Sequence, residues 1–246
     1  MDFHCHLDLY QNSKAVTEEA SRNNKFTWLV TTSPRAYEAT SRVLGHFPRV
    51  LITPGLHPEL VAARAHELPQ LLEQIERSDA VGEVGIDGSY RFKSSLPEQR
   101  QVFEAVVSRS AALGGRAMSI HSRDAAKEVL SILLKHPGFG TAVLHWFNGT
   151  NTEMKTASKL GYWFSIGPAA LKSAAGRALA VGLPRDRVVP ESDGPFAVEN
   201  GTAVAPCSMG RTAQLLAPLW ECSEQEALAM LTINGQRLLS TIGWVP

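Results

Sequence analysis

His4 and His6 lie two residues apart in Phe3-His4-Cys5-His6. In an extended strand that spacing puts both imidazoles on one face and turns Cys5 to the other. Two imidazoles converging on one point suit a divalent ion. A lone His-x-His pair also occurs on surfaces that bind nothing, so the pair needs company. It has company in Glu83, His121, His145 and Asp193, which fall at or just past the ends of the short apolar runs Ala80–Glu83, Arg116–Ile120, Thr141–Leu144 and Val188–Pro190. Taken singly, each reads as a capping acid or a hydrogen-bonded core imidazole. Taken as a set at strand ends, they read as ligands. Nitrogen and carboxylate donors without clustered cysteines suit Zn2+, Mn2+ or Mg2+, and the histidines lean away from Mg2+. Six ligands exceed the needs of one structural ion. Two divalent metal ions about 3.5–4 Å apart with a bridging carboxylate suit the number better.

The elements that must position these residues follow from apolar periodicity. Four further runs, Met1–Cys5, Thr27–Thr31, Val50–Thr53 and Tyr162–Ile166, bring the candidate strands to eight. Helical spacing appears over Ser13–Asn23, Pro34–His46, Leu68–Arg77, Pro97–Leu113, Asp124–Leu134, Thr152–Lys159 and Ser173–Val181, with two more helical pieces at Met209–Leu219 and Ser223–Leu239. Ser33 before Pro34 and Asn151 before Thr152 look like helix caps. Strand–helix alternation predicts a parallel sheet, and eight units predict an α/β fold of the (β/α)8 TIM-barrel type as one domain over residues 1–246. Active residues of such folds gather where the strands end. The stretches Asp87–Leu96 and Gly194–Ser208, the second holding Asn200 and Gly201, read as irregular loops on that face.

Composition narrows the partners. Of 246 residues, 44% are hydrophobic and 20% charged, which is ample for a core. Lys+Arg and Asp+Glu both number 24, so no bulk positive field is available to wrap duplex nucleic acid, although a small site charged by ions is allowed. Cys5, Cys207 and Cys222 match neither a disulfide framework nor a zinc-finger spacing, and Cys5 reads as a small buried hydrophobe. No leader pattern and no run long enough to span a bilayer is visible, so the expectation is a cytoplasmic enzyme with no membrane partner.

The motifs Phe3-His4-Cys5-His6-Leu7-Asp8, Gly55-Leu56-His57-Pro58, Gly82-Glu83-Val84-Gly85-Ile86-Asp87, Ile120-His121-Ser122-Arg123, Leu144-His145-Trp146-Phe147-Asn148-Gly149, Glu191-Ser192-Asp193-Gly194-Pro195 and Asn234-Gly235-Gln236-Arg237-Leu238-Leu239 span nearly the whole chain. Together they resemble the TatD-type metal-dependent deoxyribonucleases. The resemblance implies that His4, His6, Glu83 and Asp193 hold one ion and that Glu83 bridges to a second held by His121 and His145. It implies catalytic roles for Asp193 and Glu83, with Asp193 taking a proton from the attacking water. It also implies that His57 and Arg123 orient the phosphate. The alternatives are a structural loop role for His57 and, for Arg123, an ion pair or a helix start. Asp8 and Asp87 are expected to partner ligating histidines or to sit in turns.

Finer sequence, in His145-Trp146-Phe147, Tyr162-Trp163-Phe164-Ser165-Ile166-Gly167-Pro168-Ala169 and Ile86-Asp87-Gly88-Ser89, is similar to the QatD branch of the Qat anti-phage system. The function this implies is a 3'-5' exonuclease acting on DNA, single-stranded or frayed at its ends, in anti-phage defence beside other Qat-system proteins. The alternatives are a metal-dependent hydrolase of a small nucleotide-like, ester or amide substrate, and a defence-complex subunit with little activity alone. Two departures from the family pattern stand out. Gly88-Ser89-Tyr90-Arg91 replaces the usual aromatic pair after Asp87, and Ser192 and Gly194 replace Thr and Ala around Asp193. Tyr90, Arg91, Phe92 and Lys93 interleave aromatic and basic side chains, as single-strand binders do, although a lid packed on the rim is the plainer expectation. Trp146, Phe147 and Phe196 are expected to be packing residues.

Overall fold

Every apolar run identified above becomes a strand, and the helical stretches become helices, in a computed structural model that describes residues 1–244. In chain order these are β1 (Asp2–Cys5), α1 (Ser13–Asn23), β2 (Thr27–Val30), α2 (Pro34–Leu44), β3 (Val50–Thr53), the short α3 (Val61–Arg64), α4 (Leu68–Glu76), β4 (Ala80–Gly85) and α5 (Leu96–Ala112). There follow β5 (Arg116–His121), α6 (Ala126–Lys135), β6 (Gly140–His145), α7 (Asn151–Lys159), β7 (Trp163–Ile166), α8 (Ala174–Gly182) and β8 (Val188–Pro190). A small antiparallel pair, β9 (Val198–Glu199) and β10 (Thr202–Ala203), precedes α9 (Met209–Leu216) and α10 (Glu224–Thr241). β1, β2, β4, β7 and β8 are buried along their whole length, as strands covered on both faces must be.

Four expectations need correction. β4 runs two residues past Glu83, so that carboxylate sits within the strand and not at its end. The cap of α7 is Thr150 and not Asn151: its hydroxyl accepts from Glu153 N while the Glu153 carboxylate accepts from Thr150 N, closing a capping box. The stretch Asp87–Leu96 is not irregular, because Tyr90–Ser95 forms a 3-10 helix. Within Gly194–Ser208, Asn200 (φ 52°) and Gly201 (φ 80°) form the two-residue turn between β9 and β10. Such a turn needs two positive φ angles, which Asn-Gly tolerates best.

The chain divides into two compact units. The first comprises Met1–Leu29, Val43–Leu51 and Trp163 onward, and the second Val30–Arg42 and Ile52–Tyr162. In the first, β1 pairs in parallel with β2 and β7 with β8. The turn after β8 is laced to β1 by Asp193 N donating to His4 O at 2.9 Å and His6 N donating to Gly194 O at 2.8 Å. Phe3, Phe26, Trp28, Phe164 and Trp220 fill its core, and Asn234 of α10 donates to the carbonyls of Arg185 and Val188 beneath β8. In the second unit β4, β5 and β6 run parallel in that order, over a core that includes Ile75, Phe103, Val106, Met118 and Val129.

Two strands carry one surplus residue each. Along β1 the pairing steps from Asp2↔Thr27 to Cys5↔Leu29, three residues against two. Along β4 it steps from Val81↔Met118 to Val84↔Ile120, again three against two. His4 and Glu83 lie in those bulged stretches. A bulge bends its strand and re-aims a side chain without ending the pairing.

Candidate functional site

In the first unit His4 and His6 flank the end of β1, both fully buried, with ring centroids 5.2 Å apart and planes at 78°. Their Nε2 atoms stand 3.7 and 3.8 Å from the same oxygen, Oδ1 of Asp193. Asp193 has φ 50°, a left-handed conformation that Asp adopts more readily than most residues. That conformation and the backbone bond to His4 fix its carboxylate against β1. Asp2, at the start of β1, accepts on Oδ1 from His4 N at 3.2 Å and from Ser192 N at 3.0 Å. Burial pushes the Asp2 carboxyl up to about 7, against the bonds from Ser192 and His4 that favour its charge. Sequence reasoning passed over Asp2, although the two-residue period that pairs His4 with His6 also reaches it. Asp8 lies half-buried in the 3-10 turn Leu7–Leu9.

The departure at Gly194 has a steric cause. A Cβ there would lie 2.0 Å from the Tyr10 hydroxyl and 2.3 Å from Val204 O, and that hydroxyl donates to Val204 O at 2.8 Å. Tyr10 thus occupies the place of the alanine methyl common in the pattern.

In the second unit Glu83 Oε1 lies 2.8 Å from His121 Nδ1 and 3.2 Å from His57 Nε2. His121 Nε2 lies 2.9 Å from Asp87 Oδ2, so both ring nitrogens face carboxylates. Burial disfavours the imidazolium, but the bonds to Asp87 and Glu83 outweigh it and raise His121 to about 9. Asp87 is held down at about 2, because the bonds from His121 and Ser89 overcome its desolvation. His145 ends β6 in register with His121, so the two rings share a face with centroids 6.4 Å apart. Gly55 makes room for Glu83: a Cβ there would fall 2.4 Å from Glu83 N.

His57 stands beside this cluster. Its Nδ1 accepts from Glu59 N at 3.2 Å, so the neutral ring carries its hydrogen on Nε2 and aims it at Glu83. Both nitrogens thus have partners within the protein, as both nitrogens of His121 do. Arg123 stands apart from the cluster, exposed, with its carbonyl accepting from Gly88 N. Phe147 is buried, but Trp146 is 38% and Phe196 59% exposed, so these two are not core packing. Each meets a histidine edge-on, Trp146 against His145 and Phe196 against His6.

The donor chemistry fits a metal. Two ligands bound at about 2.1 Å to a tetrahedral ion stand roughly 3.4 Å apart, and the first unit holds its imidazole–carboxylate pairs at 3.7 and 3.8 Å. In the second, one ligand atom each from His57, Glu83 and His121 lies within 4.8 Å of the others. Asp87 on Nε2 of His121 is the arrangement by which proteins orient a ligating imidazole.

A family model described as TatD related DNase matches residues 1–240. The chain belongs to the TatD-related DNase family. Human deoxyribonuclease TATDN3 is 27% identical, covering 97% of this chain and 93% of its own. The 3'-5' ssDNA/RNA exonuclease TatD of Klebsiella pneumoniae is 28% identical over 72% of this chain and 69% of its own. Among solved structures, YjjV, a TatD homologue from Escherichia coli, superposes with a TM-score of 0.86 at 22% identity, covering 100% of this chain and 98% of that one. The fold class is therefore the α/β TIM-barrel type of metal-dependent hydrolase, as the strand–helix alternation predicts. The His, Asp and Glu groups of this TatD-family hydrolase are able to hold metal ions. Among the described residues no helix is long and apolar enough to cross a membrane.

Proposed function

We propose that this TatD-family chain is a metal-dependent 3'-5' exonuclease of single-stranded or frayed DNA. In this reading His4, His6, Glu83, His121, His145 and Asp193 hold two divalent ions. The observation that carries it is the convergence of His4 and His6 on one oxygen of Asp193. The names of the TATDN3 and TatD relatives support a nucleic-acid substrate.

The ions would supply Lewis acidity toward water and the scissile phosphate. The protein's own groups do the rest. Asp193, fixed by its backbone bond to His4, accepts the proton of the attacking water on its carboxylate. Glu83 Oε1 stands 3.2 Å from His57 Nε2 and 2.8 Å from His121 Nδ1, and in this reading its carboxylate is a ligand. Asp87 orients His121, and Arg123, exposed on the loop after β5, serves phosphates of the strand outside the cluster. Purified protein given Mn2+ or Mg2+ should shorten a 5'-labelled single strand stepwise, and the double variant His121→Ala/Asp193→Ala should not. Equal cleavage by that variant would exclude the assignment.

The likeness of His145-Trp146-Phe147 and Ile86-Asp87-Gly88-Ser89 to the QatD branch supports a finer reading: the activity serves anti-phage defence beside other Qat-system proteins. Plaque assays in cells carrying the whole system test it. The same double variant should abolish protection, and full protection would point to a scaffold role.

A further inference from the structure

In the second unit three successive loops are joined into one rim. Gly88 N, in the loop after β4, donates to Arg123 O in the loop after β5 at 2.8 Å. Asp124 N in turn donates to Asn148 Oδ1, in the loop after β6, at 3.3 Å. Gly88 packs so closely there that a Cβ would lie 2.3 Å from Asp124 O.

The rim is built to be rigid. The Asp87 carboxylate accepts from Ser89 N at 2.9 Å, and Asp87 N donates to Gln99 Oε1 at 2.7 Å. The amide nitrogen of the same Gln99 donates to Phe92 O and to Ser95 Oγ. The 3-10 helix Tyr90–Ser95 is therefore fastened at both ends to α5 and to Asp87, the residue that partners His121.

What this rim displays is unusual for a packed lid. Tyr90 is 94% exposed, a ring held in water with nothing over it, and Trp146 is 38% exposed. Arg91, with its guanidinium 5.1 Å from the Phe92 ring centre, is exposed, as are Lys93 and Arg123. Against these three cations the three loops expose one carboxylate, that of Asp124. In a chain of zero net charge, this is a local excess of positive charge interleaved with aromatic faces. A single nucleic-acid strand offers the matching alternation of phosphates and π-faces. Duplex DNA buries its faces, and a protein partner has no need of three cations around one exposed tyrosine.

We propose that this rim is the seat of a single-stranded nucleic acid, with a base stacked on Tyr90 and the phosphates followed by Arg91, Lys93 and Arg123. This deepens the nuclease reading and rests on it for the strand's fate, but binding is measured separately from cleavage. The probe is a fluorescein-labelled, phosphorothioate-linked oligothymidylate of about eight nucleotides, within the usual site size, with anisotropy read on metal-loaded protein. Tyr90→Ala should weaken binding roughly 5- to 150-fold and Tyr90→Phe should not, since stacking needs the ring and not the hydroxyl. An abasic strand of equal length should bind the native protein less well than the oligothymidylate, and Tyr90→Ala should erase that preference. Arg91→Gln/Arg123→Gln should flatten the salt dependence of log Kd by about 1.4, two contacts on a single strand. Binding by Tyr90→Ala within twofold of the native protein, an undiminished preference for bases, or no binding by the native protein would each overturn the proposal. Native binding without cleavage under any metal would remove the nuclease reading and leave the rim standing. Cleavage with an unchanged Tyr90→Ala affinity would do the reverse.

Discussion

His121 Nε2 stands 2.9 Å from Asp87 Oδ2 while its other nitrogen faces Glu83, so a single imidazole is shared between two carboxylates. An imidazole so placed is protonated at neutral pH, with its pKa raised to about 9. An ion can take only a deprotonated nitrogen. Metal loading near pH 7.5 should therefore release about one proton from this residue. Calorimetric titrations in buffers of different ionisation enthalpy read that number directly. The sign for the metal-free chain is the opposite one. Because the folded pKa lies above 6.5, the stabilisation from charged His121 is complete below about 6.5 and is lost as pH rises through about 9. Over that window the melting temperature of EDTA-treated protein should fall while metal affinity climbs.

Asp87→Asn keeps the shape and removes the charge that orients His121. Loss of such a partner commonly costs about 10- to 100-fold in metal affinity. Competition against a chromogenic chelator should show that loss, with an unaltered far-ultraviolet circular dichroism spectrum.

For His57 the expected result is a split between metal content and turnover. Its Nε2–H faces Glu83 and its Nδ1 is taken by Glu59 N. His57→Ala should lower kcat about 10- to 100-fold, as loss of an orienting partner does, without lowering the metal stoichiometry measured by elemental analysis. His57→Gln, which can still present an N–H, should recover part of the loss. A drop of one ion per chain in His57→Ala would instead make this residue a ligand.

Gly194→Ala restores the family's usual residue and should nevertheless destabilise this chain. The new methyl would overlap the Tyr10 hydroxyl and Val204 O. Overpacking of this kind costs about 1–3 kcal/mol, to be read from urea unfolding. Tyr10→Phe/Gly194→Ala removes the nearer clash and should regain part of it, so the two changes should be non-additive.

The candidate ligand positions could be picked out because strand ends are marked by where apolar runs stop, and His121, His145 and Asp193 all stand at or just past such stops. Glu83 misled on its address. Its run continues through Val84-Gly85, and a bulge leaves no mark in an apolar pattern because it adds one residue without changing residue type. The Asn200-Gly201 turn carried its signal openly, yet β9 and β10 are two residues each, too short for alternation to show. His57 shows a different limit. The sequence places it near the chemistry, but only the approach of Glu59 N decides which nitrogen bears the hydrogen. Exposure of Tyr90 was equally hidden, since an aromatic residue in a loop reads the same whether its ring is covered or bare.

Gln99 has one more consequence. By bonding Asp87 N, Phe92 O and Ser95 Oγ at once, it ties the partner of His121 and the Tyr90–Ser95 helix to one side chain of α5. A change at this one glutamine should therefore be felt in two places together, at the aim of His121 and at the footing of the rim.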